Sequence, residues 1–304
     1  LLTRFMGLLI LSGAVAGLLQ VNFAAGSSNP QAFVALGDLA LFQVQRFGQT
    51  ELWRSDGTPG GTYEVLDIEP GPVSSNPTFL TAFQGRLFFA ANGALWQSDG
   101  TAQGTVPIRQ VQAASLHAVG PRLVFLGTDA KHGFELWSSD GTPAGTRRIA
   151  DLAKGTVSPV YQDFEVVGKR FYFTATTSAA RGQELYVTDG TPKGTRRLTW
   201  FSNAYALDQL PQMPLGNRLL FSANEPPYGT ELWSTDGTPK GTRMVLDACA
   251  GECPAYPTFL LRHQGRIYYQ AQDAEHGFEL WVTDGTAQGT RMVRDICPGP
   301  CGSW

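Results

Sequence analysis

Glu51-Leu52-Trp53-Arg54-Ser55-Asp56-Gly57-Thr58-Pro59-Gly60-Gly61-Thr62 is a phrase the chain uses six times. Its Asp returns at Asp99, Asp140, Asp189, Asp236 and Asp284, so copies stand 41 to 49 residues apart. A period of that length marks one supersecondary unit stacked against copies of itself. A residue carried by every copy serves what every copy needs, which is folding. Function is therefore sought in what differs between copies.

Around the phrase, each copy holds four short apolar segments. In the third they are 115–119, 122–126, 134–138 and 146–152, with a loop at 129–133. In the first they are 32–36, 39–45, 51–55 and 62–68, and in the last 258–263, 266–272, 279–283 and 291–296. Val, Phe, Leu, Tyr and Thr in runs this short favour strands. Four strands joined as hairpins make an antiparallel meander. Strand alternation sends Leu136 to one face and Glu135 and Trp137 to the other. A sheet with large side chains on both faces needs a neighbour on each side. Blades packed around an axis supply them, so the expected fold is an all-β propeller of six four-stranded antiparallel blades spanning 31–304. A linear solenoid is the weaker alternative, because its coils are shorter.

The 304 residues include 35 Gly and 19 Pro, with only 16% charged, which suits many strands joined by tight turns. A net charge of -3 without a basic cluster excludes a nucleic-acid partner held by phosphate contacts. Arg4, an apolar run to Val21 and the small residues before Gly26 read as a secretory signal peptide over 1–25. The alternative is an uncleaved anchor, which would be the sole membrane contact. Cys249, Cys253, Cys297 and Cys301 form two close pairs, expected as two local disulfides in an exported chain, with a four-cysteine zinc site the competing reading.

In each copy the Asp can accept hydrogen bonds from backbone N–H groups two residues on, and the Gly after it tolerates positive φ. Pro at 59, 143, 192 and 239 pre-sets a turn dihedral, and the second Gly turns the chain into the fourth strand. Asp56, Asp99, Asp140, Asp189, Asp236 and Asp284 are thus structural turn residues. Calcium at these positions would need several carboxylates in one loop, and each loop has one. Trp53, Trp96, Trp137, Trp233 and Trp281, with Tyr186 in the fourth copy, supply apolar mass between blades. No metal or cofactor is expected.

These residues resemble the ELWxxDGT repeat family of exported bacterial proteins over essentially all of 31–304. Ala94 replaces the Glu, Tyr186 replaces a Trp, and Val106-Pro107 departs after Thr105, which makes the second copy the least regular. The corner is also similar to the Asp-box hairpin of sialidase-type propellers, which is structural there. The resemblance implies a propeller and a secreted or cell-surface location, and no defined activity.

Two loop sets vary and open on the same face of a meander. One joins the second and third strands (46–50, 129–134, 177–183, 224–230, 273–278), the other joins repeats (69–77, 153–162, 202–211, 248–257). They carry the candidate binding residues His132, Arg181, Tyr161, Trp200, Tyr205, Tyr228, Tyr256 and His276. A His packed over the following Gly is the structural reading of His132 and His276. No nucleophile elbow or metalloprotease motif occurs, and no catalytic residue is assigned. Asp129, Asp163, Asp208, Glu225 and Asp273 leave a carbohydrate hydrolase or lyase as the alternative to a scaffold that binds an extracellular protein or glycan. The closing Cys297-Pro298-Gly299-Pro300 parallels Glu69-Pro70-Gly71-Pro72, which leads into a further copy, so the blade number of the native protein can exceed six. Replacing Gly57 or Gly141 by Val is expected to lower the melting temperature; thermal denaturation of both variants checks this, and unchanged midpoints refute the hairpin reading.

Overall fold

The computed structural model describes residues 28–46, 48–71, 73–177, 182–202 and 212–300. The expected signal segment 1–25 lies outside the described residues. Those residues form twenty-four strands, no helix, and six four-stranded antiparallel sheets whose strands lie side by side in chain order. The fold is all-β, of the β-propeller class, with six blades at 31–66, 78–109, 112–148, 160–197, 212–246 and 258–294. Two compact units divide the chain after Ile108, the first holding blades 1 and 2 and the second blades 3 to 6.

Blade 3 shows where the segments were anticipated and where they were not. Its strands are Gln112–Val119, Arg122–Asp129, His132–Ser139 and Arg147–Arg148. The expected loop at 129–133 is a tight hairpin, because Asp129 Oδ1 accepts the N–H groups of Lys131 and His132 at 2.8 and 3.0 Å. The fourth strand stops early, because Leu152 and Ala153 turn their N–H groups to the buried Glu135 carboxylate at 2.8 and 3.0 Å.

Within each unit, consecutive blades share a core. The Leu of the repeated phrase points forward: Leu52, Leu136, Leu185 and Leu232 pack with Phe89, Phe173, Phe221 and Tyr269 of the following blade. The aromatic beside it points back. Trp96, Tyr186, Trp233 and Trp281 join the core shared with the preceding blade. Each also sits opposite an aromatic on its own second strand, as in Phe89 with Trp96, with ring centroids 6.3 Å apart. Burial of these side chains is worth roughly 1.5–3 kcal/mol each.

The Asp-Gly-Thr corner is the same object six times. The Asp Oδ1 accepts the N–H of the Thr two residues on at 2.9–3.0 Å and its hydroxyl at 2.7 Å in every copy. Gly57, with φ 89°, donates its N–H to Ser55 Oγ at 3.0 Å. Blade 2, expected to be the least regular, keeps this whole network. The second Gly is required for a different reason. Its φ is not positive; it is Gly because a Cβ on Gly145 would lie 1.9 Å from Asp140 Oδ1. The other five copies give 1.9 to 2.1 Å.

The corner also locks blade to blade. The Gly190 corner of blade 4 rests on Arg122 of blade 3, and the Gly237 corner of blade 5 on Arg170 of blade 4. Arg170 donates to the Asp236 carbonyl, and in the first unit Arg54 Nη1 donates to the Gly100 carbonyl at 3.1 Å. Gly145→Ala is expected to cost about 1–3 kcal/mol by forcing the Asp140 carboxylate out of its corner, more than the same change at open Gly60. Urea denaturation of the two variants provides the comparison.

Candidate functional site

The inter-blade loops and the loops between second and third strands lie at one end of each sheet. Five of the six blades hold the inter-blade loop in the same way. Glu51, Glu135, Glu184, Glu231 and Glu279 are all less than 7% exposed. Glu51 accepts the Ser75 N–H at 2.8 Å and the Ser75 hydroxyl. Glu231 accepts the N–H groups of Ala248 and Cys249 at 3.1 and 3.4 Å, and Glu279 those of Ile296 and Cys297 at 3.1 and 3.2 Å. Glu184 accepts the Thr199 hydroxyl at 2.5 Å. In blade 2, where Ala94 stands in for Glu, only residues 110 and 111 separate the fourth strand from the next, so there is no loop to hold. The sequence reading missed this role, although the departure at Ala94 and the short connection after it were both visible.

Burial sets the protonation of these carboxyls. It raises Glu135 and Glu184 above the ordinary carboxylate range and pushes Glu231 up to about 7, against the N–H groups that favour its charged form. The exposed corners go the other way. The Thr hydroxyl and N–H hold Asp56, Asp99, Asp140, Asp236 and Asp284 below the usual range.

Six of the eight candidate binding residues are among the described residues; Arg181 and Tyr205 lie outside them, as does Asp208. Trp200, Tyr228 and Tyr256 are exposed at 59%, 40% and 50%. Tyr161, expected on the surface, is instead turned inward: its hydroxyl donates to Glu135 at 3.2 Å and its ring packs 5.9 Å from Phe173. Phe201 sits edge-on to Trp233 at 5.1 Å. His132 and His276 occupy equivalent hairpins in blades 3 and 6. Each meets the Asp three residues earlier through Nδ1, Asp129 at 2.8 Å and Asp273 at 3.0 Å. Gly133 then fits tightly under the next loop, since a Cβ there would lie 2.5 Å from the Val157 carbonyl oxygen.

The candidate carboxylates among the described residues, Asp129, Asp163, Glu225 and Asp273, are each engaged locally. Asp163 accepts the Thr174 hydroxyl at 2.8 Å, and Glu225 accepts the Ser202 N–H and hydroxyl, each at 2.9 Å. Among the described residues no group of three His, Cys, Asp or Glu side chains is placed to hold a metal ion. Cys249 and Cys253 form a local disulfide, in place of the zinc reading. Cys297 is disulfide-bonded as well, and its expected partner Cys301 lies outside the described residues. No helix among the described residues is long and apolar enough to cross a membrane.

Exposed aromatics stand on three loops of blades 4 to 6 that are tied to one another. Trp200 opens the loop from blade 4 to blade 5. Ser202 ties that loop to Glu225, in the same loop as Tyr228. Gly229 then packs on Glu252 and Pro254 of the disulfide loop, and Ala255 and Tyr256 donate their N–H groups to the Thr230 carbonyl at 2.9 and 3.1 Å. Tyr256 stacks on Phe278 of blade 6 at 6.5 Å.

No family model and no curated protein matches the chain. Solved structures do. The chain is similar to puromycin hydrolase, with TM-score 0.41 and 15% identity over 88% of this chain and 47% of that one. It is similar to the β-propeller domain of the Trilobed protease from Pyrococcus furiosus, with TM-score 0.41 and 13% identity over 88% and 85%. It is also similar to an oligogalacturonate lyase in complex with manganese, with TM-score 0.44 and 12% identity over 84% and 74%. The chain spans about half the length of the puromycin hydrolase. Likenesses this distant concern blade architecture and transfer no chemistry.

The glutamate sockets predict a pH dependence. A carboxyl whose folded-state pKa is raised stabilises the fold fully below its unfolded value and loses that contribution as pH rises through the folded one. For Glu231 the window runs from 4.5 to about 7. The melting temperature is expected to fall across that window, and Glu231→Gln to flatten the slope. Glu231→Ala, which strands the Ala248 and Cys249 N–H groups, is expected to cost about 1–3 kcal/mol for each. Calorimetry from pH 4 to 8 on the three proteins reads both effects.

Proposed function

We propose that the protein is a secreted or surface-exposed binding scaffold that engages an extracellular protein or glycan through the loop end of blades 4 to 6. The observation that carries the reading is the exposure of Trp200, Tyr228 and Tyr256 on three contiguous loops. Large aromatics left in water on neighbouring, firmly held loops are suited to recognition, since they offer contact area at small entropic cost. The described parts of these loops are anchored. Glu184 and Glu231 grip two of them from below, and Cys249–Cys253 closes one. The disulfide supports an oxidising compartment. The local engagement of Asp129, Asp163, Glu225 and Asp273 favours binding over hydrolysis, because a glycosidase needs two carboxyls facing one bond.

The test compares the wild-type chain with a Trp200→Ala, Tyr228→Ala, Tyr256→Ala variant on a glycan array and in pull-downs from secreted protein. Partners retained by the wild type are expected to be lost by the variant, with the melting temperature unchanged to within about 2 °C. Turnover of any substrate in a broad hydrolase and lyase panel would replace the scaffold reading with an enzymatic one.

A further inference from the structure

Trp200 differs from the other described tryptophans. Trp53, Trp96, Trp137, Trp233 and Trp281 are buried or half-buried within the blades, whereas Trp200 is 59% exposed and stands outside the repeated phrase. It is not loose. Arg197 places its guanidinium carbon 4.7 Å from the ring centroid, and that Arg sits 3.9 Å from the Glu184 carboxylate. One side of the indole is thus held by a cation that is itself held.

Beside the indole lies a depression of about 210 Å³ lined by Leu198, Thr199, Phe201, Glu225, Trp233 and Pro239, among others. Its polar character is one-sided. The Thr199 hydroxyl is spent on Glu184, and it receives the Leu185 N–H at 2.9 Å. Among the described residues, Glu225 accepts from Ser202, through its N–H and its hydroxyl. A carboxylate offers about four lone-pair sites, so acceptor capacity remains on this wall. An occupant must therefore present an apolar face to aromatic rings and donate hydrogen bonds to a carboxylate.

Three ligand chemistries compete. An anionic group meets the Glu225 charge. An ammonium group satisfies Glu225 but meets Arg197 across the same ring, where the attraction of the indole for a cation is already used. A neutral sugar ring avoids both conflicts: its C–H face lies on the indole and its hydroxyls donate to the carboxylate. The depression is smaller than the roughly 300–1,000 Å³ of pockets for drug-sized ligands, which suits a single ring.

We infer that the depression beside Trp200 is a subsite for one neutral pyranose residue, stacked on the indole and hydrogen-bonded to Glu225. The inference rests on the loop-end binding reading and narrows it to a neutral glycan.

The experiment uses the whole chain on an array of neutral glycans, followed by tryptophan-fluorescence titration with the best neutral oligosaccharide, choline chloride and glucuronate. Saturable binding of the neutral sugar is expected, weakened about tenfold or more by Trp200→Ala and partly restored by Trp200→Phe. Glu225→Gln, which keeps one acceptor oxygen, is expected to weaken it severalfold. Circular dichroism melting checks that each variant folds. Choline binding tighter than any neutral sugar overturns the inference, as does the absence of a neutral ligand. Sugar binding that survives Trp200→Ala but is lost in Tyr256→Ala overturns the subsite and leaves the loop-end reading standing. Sugar binding that survives both substitutions removes both.

Discussion

A carboxylate oxygen shared between the N–H and the hydroxyl of one threonine is the contact on which the structure is built. It closes the turn between the third and fourth strands in all six blades with nearly the same distances. The two glycines of the phrase answer to it differently. The first adopts the positive φ of the turn, and the second vacates the volume the carboxylate fills. The closed corner then presents its backbone to the start of the preceding blade's second strand, where Arg122, Arg170 and Arg218 receive it. One turn motif therefore ends a hairpin and seats a blade.

The repeated glutamate performs the matching task at the other end of the sheet. Buried beside the Leu and Trp, it collects the first N–H groups of the chain as it leaves for the next blade. A buried carboxylate needs such donors, and a departing chain needs an acceptor in place of a lost strand partner. The two requirements cancel. In blades 3 and 5 the Asp corner is held low and the buried Glu socket high, so acid weakens one end of the blade while rising pH strains the other.

The blade architecture was legible because it is written six times. Leu136 and Trp137 on opposite faces demanded neighbours on both sides, and in blades 4 and 5 the cores shared with the blades before and after supply them. Strand ends were less legible. The fourth strand of blade 3 looks extended through Leu152 by composition, yet Glu135 draws the chain away after Arg148. Tyr161 reads as a loop aromatic, and only the tertiary fold reveals the Glu135 oxygen waiting for its hydroxyl. Trp200 was visible as a tryptophan outside the phrase. The depression at its side, formed by residues from two blades, had no signature in the chain. Repetition makes a scaffold readable and leaves the site, which occurs once, to geometry.

The corner contacts span very little chain. The Asp–Thr bonds join residues two apart, and the hydroxyl pair of Ser139 and Thr146 joins residues seven apart. Closing so short a loop carries a small entropic cost, and hairpins form in microseconds. A core shared by two blades, by contrast, joins residues tens of positions apart. Long-range pairing of this kind slows folding, so topology rather than turn formation is expected to set the rate.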